Sequence, residues 1–431
     1  MPAPNRTDRA IWAGIDKTST ERLPMAPRIL LVLSVFLLTS CTPIGLKTTA
    51  DLVVVGPGES VHIRSIEALT GVSALGIPRN RAVTMAVSHF GPIKGYDVAL
   101  GAAADSRCTA QGGALAAQET AADLRVVGVI GTSCSVAAAT ASPILSEAGL
   151  VMISAGNTAP LLTSDLQGNA GSNYHPGYFR AISNDLHQAQ AVADFVYNKL
   201  GLRRMATIHD GDPYTSGLTS AFARSFVALG GRITGSAQVR KGDVDMSAAL
   251  TGIVAEEPEG IFFPLFPDEA GRVVRQINLV EGGEELVLVS SDSLLFTQLE
   301  SVDAYLAGPD FDFAGNVNQA TGRNAAQLAA EYLQLYGETA NPAHLALAYD
   351  AATLLLQAIE EVSFVHAGSL YIERGRLRDA LTATNEFRGI SGLLSCDDFG
   401  DCGAGRVSIS HYTDPSVKDI AELPVVYRYR P

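Results

Sequence analysis

Short aliphatic runs alternate with alanine-rich stretches of helical length through most of the chain. The runs predict seven strands, at residues 53–55, 98–100, 126–130, 150–154, 205–208, 260–263 and 286–290. Helices are predicted around and between them, at residues 77–90, 111–122, 186–200, 216–229, 268–280 and 324–336. Strands that alternate with helices form parallel sheets with helices on both faces. The predicted fold class is α/β, and 47% hydrophobic residues in 431 can fill the cores of two domains.

The N-terminal region carries an export pattern. Residues 29–38 form an apolar run that follows Arg28 and leads into Thr39-Ser40-Cys41. Ten residues are too few for a membrane-spanning helix, which needs about 20, so the run indicates the hydrophobic core of a secretory signal. The segment from Leu38 to Cys41 resembles a bacterial lipobox, in which the cysteine is acylated after cleavage. An ordinary signal peptide with an incidental cysteine is the alternative.

Residues 1–40 are therefore predicted to be an N-terminal extension with a lipoprotein signal peptide, which starts at Met1 or Met25. Residues 41–60 contain several Pro, Gly and Thr residues with little periodicity, and are predicted to be a tether from lipid to domain. The predicted location is extracytoplasmic, at a membrane surface. A net charge of −14 argues against a nucleic-acid partner, because phosphates require a basic surface.

The cysteine count agrees with an oxidising compartment. Four of the five cysteines remain if Cys41 is acylated, and an even number in an exported protein indicates disulfides. Cys396 and Cys402 flank a turn and can form a short-range bridge. Cys108 and Cys134 each follow a predicted strand and can form a second one. The alternative, a four-cysteine zinc site, lacks a C-x-x-C pair, so neither a metal nor another cofactor is predicted.

The strongest site pattern lies within residues 126–158. The strands 126–130 and 150–154 and the helix between them form one βαβ unit. The loops after two parallel strands lie at the same sheet edge, about 5 Å apart for neighbouring strands and about 10 Å apart if one strand intervenes. Ligands of open α/β sheets bind at this edge. Ser135 and Thr158, one in each loop, therefore converge on a site whose hydroxyl and N–H donors suit a carboxylate.

A serine in a loop after a strand also occurs in hydrolases. The loop Gly131-Thr-Ser-Cys-Ser135 lacks the G-x-S-x-G pattern, and no Asp and His follow it in the order of a hydrolase triad. Ser and Thr are also common turn residues without a function. The sequence predicts no catalytic residue, and the chain is not expected to be an enzyme.

Residues 128–158 resemble the core signature of the type I periplasmic binding proteins, and most closely that of the leucine/isoleucine/valine-binding receptors of branched-chain amino acid ABC transporters. The resemblance extends from about residue 66 to about residue 405. Further matching segments are residues 177–180, 206–214, 230–231, 348–351 and 389–400. The resemblance implies two Rossmann-like lobes with parallel sheets, joined by a hinge of three crossings. It assigns residues 61–183 plus 316–395 to lobe 1 and residues 184–315 plus 396–431 to lobe 2.

The resemblance also implies roles for residues of lobe 1. In the family, the cysteine that matches Cys134 forms a disulfide with the one that matches Cys108. The residues that match Ser135 and Thr158 hold the α-carboxylate of the ligand. The carbonyl group that matches Gly156 accepts a hydrogen bond from the α-ammonium group.

In lobe 2 the resemblance implies two ligand-binding residues and a wall. Tyr214 is expected to contact the ligand, and Asp292 matches the acid that binds the ammonium group. A helix-capping role is the alternative for Asp292. Phe266 is the candidate for the wall, although the prolines within residues 263–267 depart from the family pattern. Residues 71–75 match the wall of lobe 1, or form a plain strand-to-helix turn.

The implied function is that of an extracytoplasmic lipid-anchored solute-binding protein. It would capture an amino acid or a similar zwitterionic small molecule in the cleft between the lobes and deliver it to the permease subunits of an ABC importer. The sequence contains no Walker loop, so separate subunits would supply the energy. The alternative is a ligand-sensing receptor of the same fold, which would signal to a partner protein rather than feed a transporter.

Overall fold

The computed structural model describes residues 48–294, 303–310, 313–414, 416–417 and 423–431. The predicted signal peptide and Cys41 lie outside these ranges. The strands are β1 (Leu52–Val55), β2 (Val61–Glu67), β3 (Val98–Leu100), β4 (Ala104–Asp105), β5 (Val126–Gly131), β6 (Val151–Ser154), β7 (Tyr178–Arg180), β8 (Arg204–His209), β9 (Arg232–Gln238), β10 (Gly260–Phe262), β11 (Val287–Ser290), β12 (Ala304–Pro309), β13 (Phe364–His366), β14 (Ser369–Glu373), β15 (Phe387–Arg388), β16 (Leu393–Leu394), β17 (Val407–Tyr412) and β18 (Val425–Tyr429). The helices are α1 (Ser73–Phe90), α2 (Ala110–Ala122), α3 (Ser135–Glu147), α4 (Asp185–Asp194), α5 (Pro213–Ala228), α6 (Ser247–Val254), α7 (Pro267–Ile277), α8 (Ala325–Tyr336), α9 (Pro342–Val362) and α10 (Arg374–Thr382).

The first large sheet is parallel and has the strand order β3-β2-β5-β6-β7, with β4 pairing with the far end of β2. Helices α1 and α9 pack together, and α9 contacts β5 and β6. Helices α2 and α3 form a second packed pair. Strand β5 is buried at all six positions, as a central parallel strand requires.

The second large sheet has the strand order β18-β17-β12-β11-β10-β8-β9. Strands β8 to β12 are parallel, whereas β17 and β18 add antiparallel strands at one edge. Helices α4 and α5 pack against each other, as do α6 and α7. The two sheets with their helices confirm the predicted α/β class, and each of the seven predicted strands is present to within one residue at either end.

A small antiparallel sheet corrects one boundary. Strand β1 pairs with β14, which pairs with β13. Val53 and Val55 are buried in the same core as the first large sheet. The tether predicted for residues 41–60 is therefore wrong over residues 52–55, because these residues form an ordered strand with a partner more than 300 positions away.

Both predicted disulfides are present. Cys108 and Cys134 are bonded, and so are Cys396 and Cys402. The loop closed by the second bridge lies against β7 of the first sheet, where the Cys402 N–H donates to the Arg180 carbonyl at 3.0 Å. The predicted boundary at residue 396 assigns this loop to lobe 2. In the structure the loop lies against the first sheet, and the chain returns to the second sheet only at β17.

Candidate functional site

The loops that follow β5 and β6 bring two predicted residues together. The two strands are direct neighbours in the sheet, which settles the spacing that the sequence left open. Ser135 is the first residue of α3, with Cys134 at its N-cap. The Ala159 N–H lies 3.4 Å from the Ser135 hydroxyl oxygen, so the loop after β6 reaches the start of α3. Thr158 thus lies beside a helix N-terminus, which is favourable for an anion.

Hydrogen bonds fix the loop after β6. The Ser154 hydroxyl oxygen accepts from the N–H groups of Gly156 at 3.1 Å and Asn157 at 2.9 Å. The same hydroxyl donates to the Thr132 carbonyl at 3.2 Å, which ties this loop to the loop after β5. The buried Arg180 guanidinium donates to the Asn157 carbonyl at 3.2 Å. Hydrogen bonds from several directions therefore fix the position of the loop that carries Gly156 and Thr158.

Tyr214 and Asp292 meet at the carboxyl edge of the second sheet. Asp292 follows β11, and Tyr214 lies in the first turn of α5. The Tyr214 hydroxyl oxygen lies 2.8 Å from Asp292 Oδ1 and 2.7 Å from the Ser291 hydroxyl oxygen. Gln188 Nε2 donates to the same carboxylate oxygen at 3.2 Å. These side-chain contacts orient the Asp292 carboxylate toward Tyr214 and Gln188.

Phe266, the candidate for the wall of lobe 2, lies beside Tyr214. It is the residue before α7, and its ring centroid lies 5.7 Å from that of Tyr214. Lys241 Nζ lies 4.4 Å from the centroid of the Phe266 ring. The same ammonium group pairs with Asp212, the N-cap of α5, at 2.7 Å. The Lys241 ammonium therefore connects the Phe266 wall to the start of the Tyr214 helix.

All six residues predicted to bind ligand line one cavity with a volume of about 40 Å³. The cavity is lined by Leu75, Arg79, Ser133, Cys134, Ser135, Gly156, Thr158, Tyr214, Phe266, Pro267, Asp292 and Ser293. Residues from both sheets thus surround it, and the Cys108–Cys134 bridge shares an apolar cluster with Tyr214 and Phe266. The lobes are in contact around the cavity.

Burial governs the charges at this site. It raises the pKa of Asp292, against the opposing effect of the Tyr214 and Gln188 hydrogen bonds and of the Arg79 charge. Burial also raises the pKa of Glu67, behind Ser133, to about 7. The pKa of Asp185 is well above its usual value, because of burial and the nearby Asp292 charge. A cation that entered the cavity would therefore stabilise the ionised form of these carboxyl groups.

The sequence did not identify Arg79, which is 4% exposed. It lies on α1, four residues after Leu75, so both side chains share one helix face. Leu75 belongs to the segment predicted as a wall of lobe 1, and its four-residue spacing from Arg79 is the one signal that could have identified Arg79. Ser133, Cys134, Pro267 and Ser293 were missed because they only flank predicted residues.

A larger groove beside α6 is open to solvent. Its walls include Val244 and Leu279, which are 69% and 81% exposed. The cavity between the two sheets is the better candidate, because it combines buried polar groups with apolar walls. Over the described ranges, no group of His, Cys, Asp and Glu residues has the arrangement of a metal site. The helices in these ranges are too short or too polar to cross a membrane.

Two lobes that surround a cavity define a class of binding protein that holds a small ligand between them. The chain belongs to the periplasmic binding protein family, whose model matches residues 60–399. The members of this family bind substrates outside the cytoplasm and are not enzymes.

Individual relatives agree with this assignment. The chain is 28% identical to Leu/Ile/Val-binding protein homolog 3 of Brucella melitensis over 83% of this chain and 92% of the relative. It is also 28% identical to an amino acid binding protein of Pseudomonas aeruginosa, over 52% of this chain and 56% of that protein. The crystal structure of the leucine binding protein LivK of Thermotoga maritima matches with a TM-score of 0.72 and 25% identity, over 86% of this chain and 99% of LivK.

Proposed function

We propose that this protein is an extracytoplasmic, lipid-anchored solute-binding protein that captures an amino acid or a similar zwitterionic small molecule and delivers it to an ABC importer. The observation that carries the proposal is that Ser135, Gly156, Thr158, Tyr214, Asp292 and Phe266 line one cavity between the two sheets. The names of the Brucella and Pseudomonas relatives support an amino acid as the ligand.

The chemistry of the cavity fits the two charges of an amino acid. Ser135 and Thr158 offer donors at a helix N-terminus to the α-carboxylate. Asp292 offers a carboxylate to the α-ammonium group, and the Gly156 carbonyl offers a second acceptor. A buried ammonium group requires such a partner, because an unpaired buried charge is costly.

The two lobes supply different parts of this site, which provides a mechanism for signalling that ligand is bound. A ligand that first contacts Ser135 and Thr158 gains contacts with Tyr214 and Asp292 only when the lobes close. The ligand therefore shifts the population toward the closed state by the energy of those additional contacts. The permease subunits of an importer would recognise the closed state.

Calorimetric titration of the purified protein with the twenty common amino acids tests the proposal. We expect saturable binding of at least one, and about a 10-fold or greater loss of affinity in Ser135→Ala, because a hydrogen bond to a charged group is worth about 1.5–3 kcal/mol. Ser146→Ala, at the opposite end of α3, is the control and should leave affinity unchanged. Absence of binding, or an unchanged affinity in Ser135→Ala, would contradict the proposal.

The lipid anchor is a separate part of the proposal, and it is supported by the apolar run that ends at Leu38-Thr39-Ser40-Cys41. A tethered receptor would remain close to its membrane partner. Mass spectrometry of the mature N-terminus should find an acylated Cys41, and Cys41→Ser should release the protein from the membrane fraction. An unmodified Cys41 in the mature protein would refute the anchor without affecting the amino-acid site.

A further inference from the structure

Arg79 is a buried cation in the ligand cavity that lacks a strong partner. Its Nη1 lies 3.4 Å from the Ser133 carbonyl oxygen, which is a long hydrogen bond. Its Nε has no hydrogen-bond partner among the described residues. Isolated charged groups are costly to bury, so this guanidinium would be stabilised by an anion that enters the cavity.

The neighbouring carboxyl groups do not satisfy Arg79. Glu67 and Asp292 act on it through their charge, but neither forms an ion pair with it in the described part of the chain. Glu67 accepts the Ser133 hydroxyl, and Asp292 is engaged by Tyr214 and Gln188. Burial raises the pKa of Glu67 to about 7, so its charge is incomplete near neutral pH.

The loop after β6 is shaped to admit the guanidinium. A Cβ atom on Gly156 would lie 2.7 Å from Arg79 Nη1 and 2.8 Å from its Cζ. Both distances are shorter than a normal contact, so the absence of a side chain at Gly156 lets Arg79 pack against this loop. Arg79 is thus held beside the backbone group that the proposed function assigns to the α-ammonium.

The charges in the cavity exceed those that a neutral amino acid would use. Ser135 and Thr158 can bind an α-carboxylate with uncharged donors, and Asp292 can pair with an α-ammonium. Arg79 then remains as an additional positive charge. On the basis of the proposed function, we propose that the ligand is an amino acid with an acidic side chain, and that Arg79 binds its second carboxylate.

Arg79 suits this role because a guanidinium forms paired, directional hydrogen bonds with a carboxylate. A dicarboxylate without an amino group would use Arg79 equally well. It would leave the buried Asp292 without a cation, and the two negative groups would repel each other. The combination of Arg79 and Asp292 in one cavity therefore favours a ligand with two carboxylates and one ammonium group.

Calorimetric titration of the wild-type protein with matched compounds tests this inference without any mutation. The compounds are L-glutamate, L-aspartate, L-glutamine, L-asparagine, L-leucine, succinate and glutarate. We expect at least one acidic amino acid to bind 10-fold or more tightly than its own amide and than leucine. Tighter binding of leucine or of an amide would overturn the inference and leave the proposed function intact. Equal or tighter binding of succinate or glutarate would contradict both. No binding of any of the seven compounds would overturn the inference, and the titration with all twenty amino acids would then test the proposed function separately.

Variants then assign the preference to Arg79. Arg79→Gln should lower affinity for the acidic amino acid about 30-fold or more, because it removes one partner of a desolvated charge pair. The same variant should change affinity for the amide less than about 3-fold. Arg79→Lys should retain part of the preference. Arg81→Gln is the matched control, because Arg81 lies on the same helix but bonds Tyr332 at 2.8 Å outside the cavity. Equal losses for acid and amide in Arg79→Gln would refute the assignment.

Discussion

Replacing Asp292 with Asn is expected to weaken amino-acid binding about 100-fold. The variant keeps the size of the side chain and can still contact Tyr214 and Gln188, but it removes the carboxylate that would pair with the α-ammonium. Loss of one partner of a buried charge pair costs about 2–5 kcal/mol in binding, which is about 30-fold or more. Calorimetric titration with the ligand found for the wild type measures the change.

The same variant should not lose stability in the absence of ligand. Burial raises the pKa of Asp292 above its unfolded value, so the folded protein binds the Asp292 proton more tightly than the unfolded chain does. Stability due to this group is therefore present below the unfolded pKa and is lost as the pH rises through the folded pKa. As the pH rises from the unfolded pKa through the folded pKa, we expect the wild type to lose this stability and Asp292→Asn to keep it. The free energy of unfolding of Asp292→Asn should therefore increase relative to that of the wild type.

Asp268→Asn is the matched control for these measurements. Asp268 lies in the first turn of α7, close to the cavity wall, but it is exposed and does not line the cavity. Its replacement should leave affinity unchanged. An Asp292→Asn protein that binds its ligand with wild-type affinity would refute the ammonium-binding role.

Arg180→Met is expected to lower the free energy of unfolding by about 3–5 kcal/mol, since it leaves a buried carboxylate without its partner. Arg180 is fully buried and pairs with Asp401. Burial opposes ionisation of Asp401, but the charge and hydrogen bond of Arg180 outweigh it and lower the pKa of Asp401. Arg180 also donates to the Asn157 and Ala159 carbonyls, so the variant should loosen the ligand loop. Urea denaturation at neutral pH measures the loss.

Two comparisons identify the cause of this loss. Arg180→Met combined with Asp401→Asn should be more stable than Arg180→Met alone, because the unpaired charge is removed. Arg125→Met should cost far less than Arg180→Met, since exposed ion pairs contribute little. Arg125 pairs with Asp123, but its side chain is 64% exposed. If Arg180→Met and Arg125→Met have the same small effect, the Arg180 pair does not stabilise the fold.

The sequence identified strands that are short aliphatic runs and missed strands that contain polar or charged residues. Residues 126–130 and 286–290 are nearly continuous apolar runs, which is the pattern of a central parallel strand. Strand β2 is equally central, but it reads Val-His-Ile-Arg-Ser-Ile-Glu and buries Ser65 and Glu67. Glu67 is tolerated there because Ser133 donates to it. Such a partner comes from a distant part of the chain, and the local pattern does not reveal it.

The cavity residues divide into those that local connectivity places together and those that it does not. Ser135 and Thr158 follow neighbouring strands of one βαβ unit, so local connectivity placed them together. Tyr214, Asp292 and Phe266 were found through the family resemblance, since nothing local joins three separate strand ends. Arg79 lies within a predicted helix, but which face of that helix meets the cleft depends on how the lobes pack. A buried charge that serves a ligand also violates the expectation that core positions are apolar.

The most direct test of the amino-acid site is a crystal structure of the protein with its captured ligand. We expect an amino acid in the cavity, with its α-carboxylate within hydrogen-bond distance of Ser135 and Thr158 and its α-ammonium within hydrogen-bond distance of Asp292. A ligand bound outside this cavity, or a ligand inside it whose charged groups contact neither Ser135 nor Asp292, would contradict the proposed site.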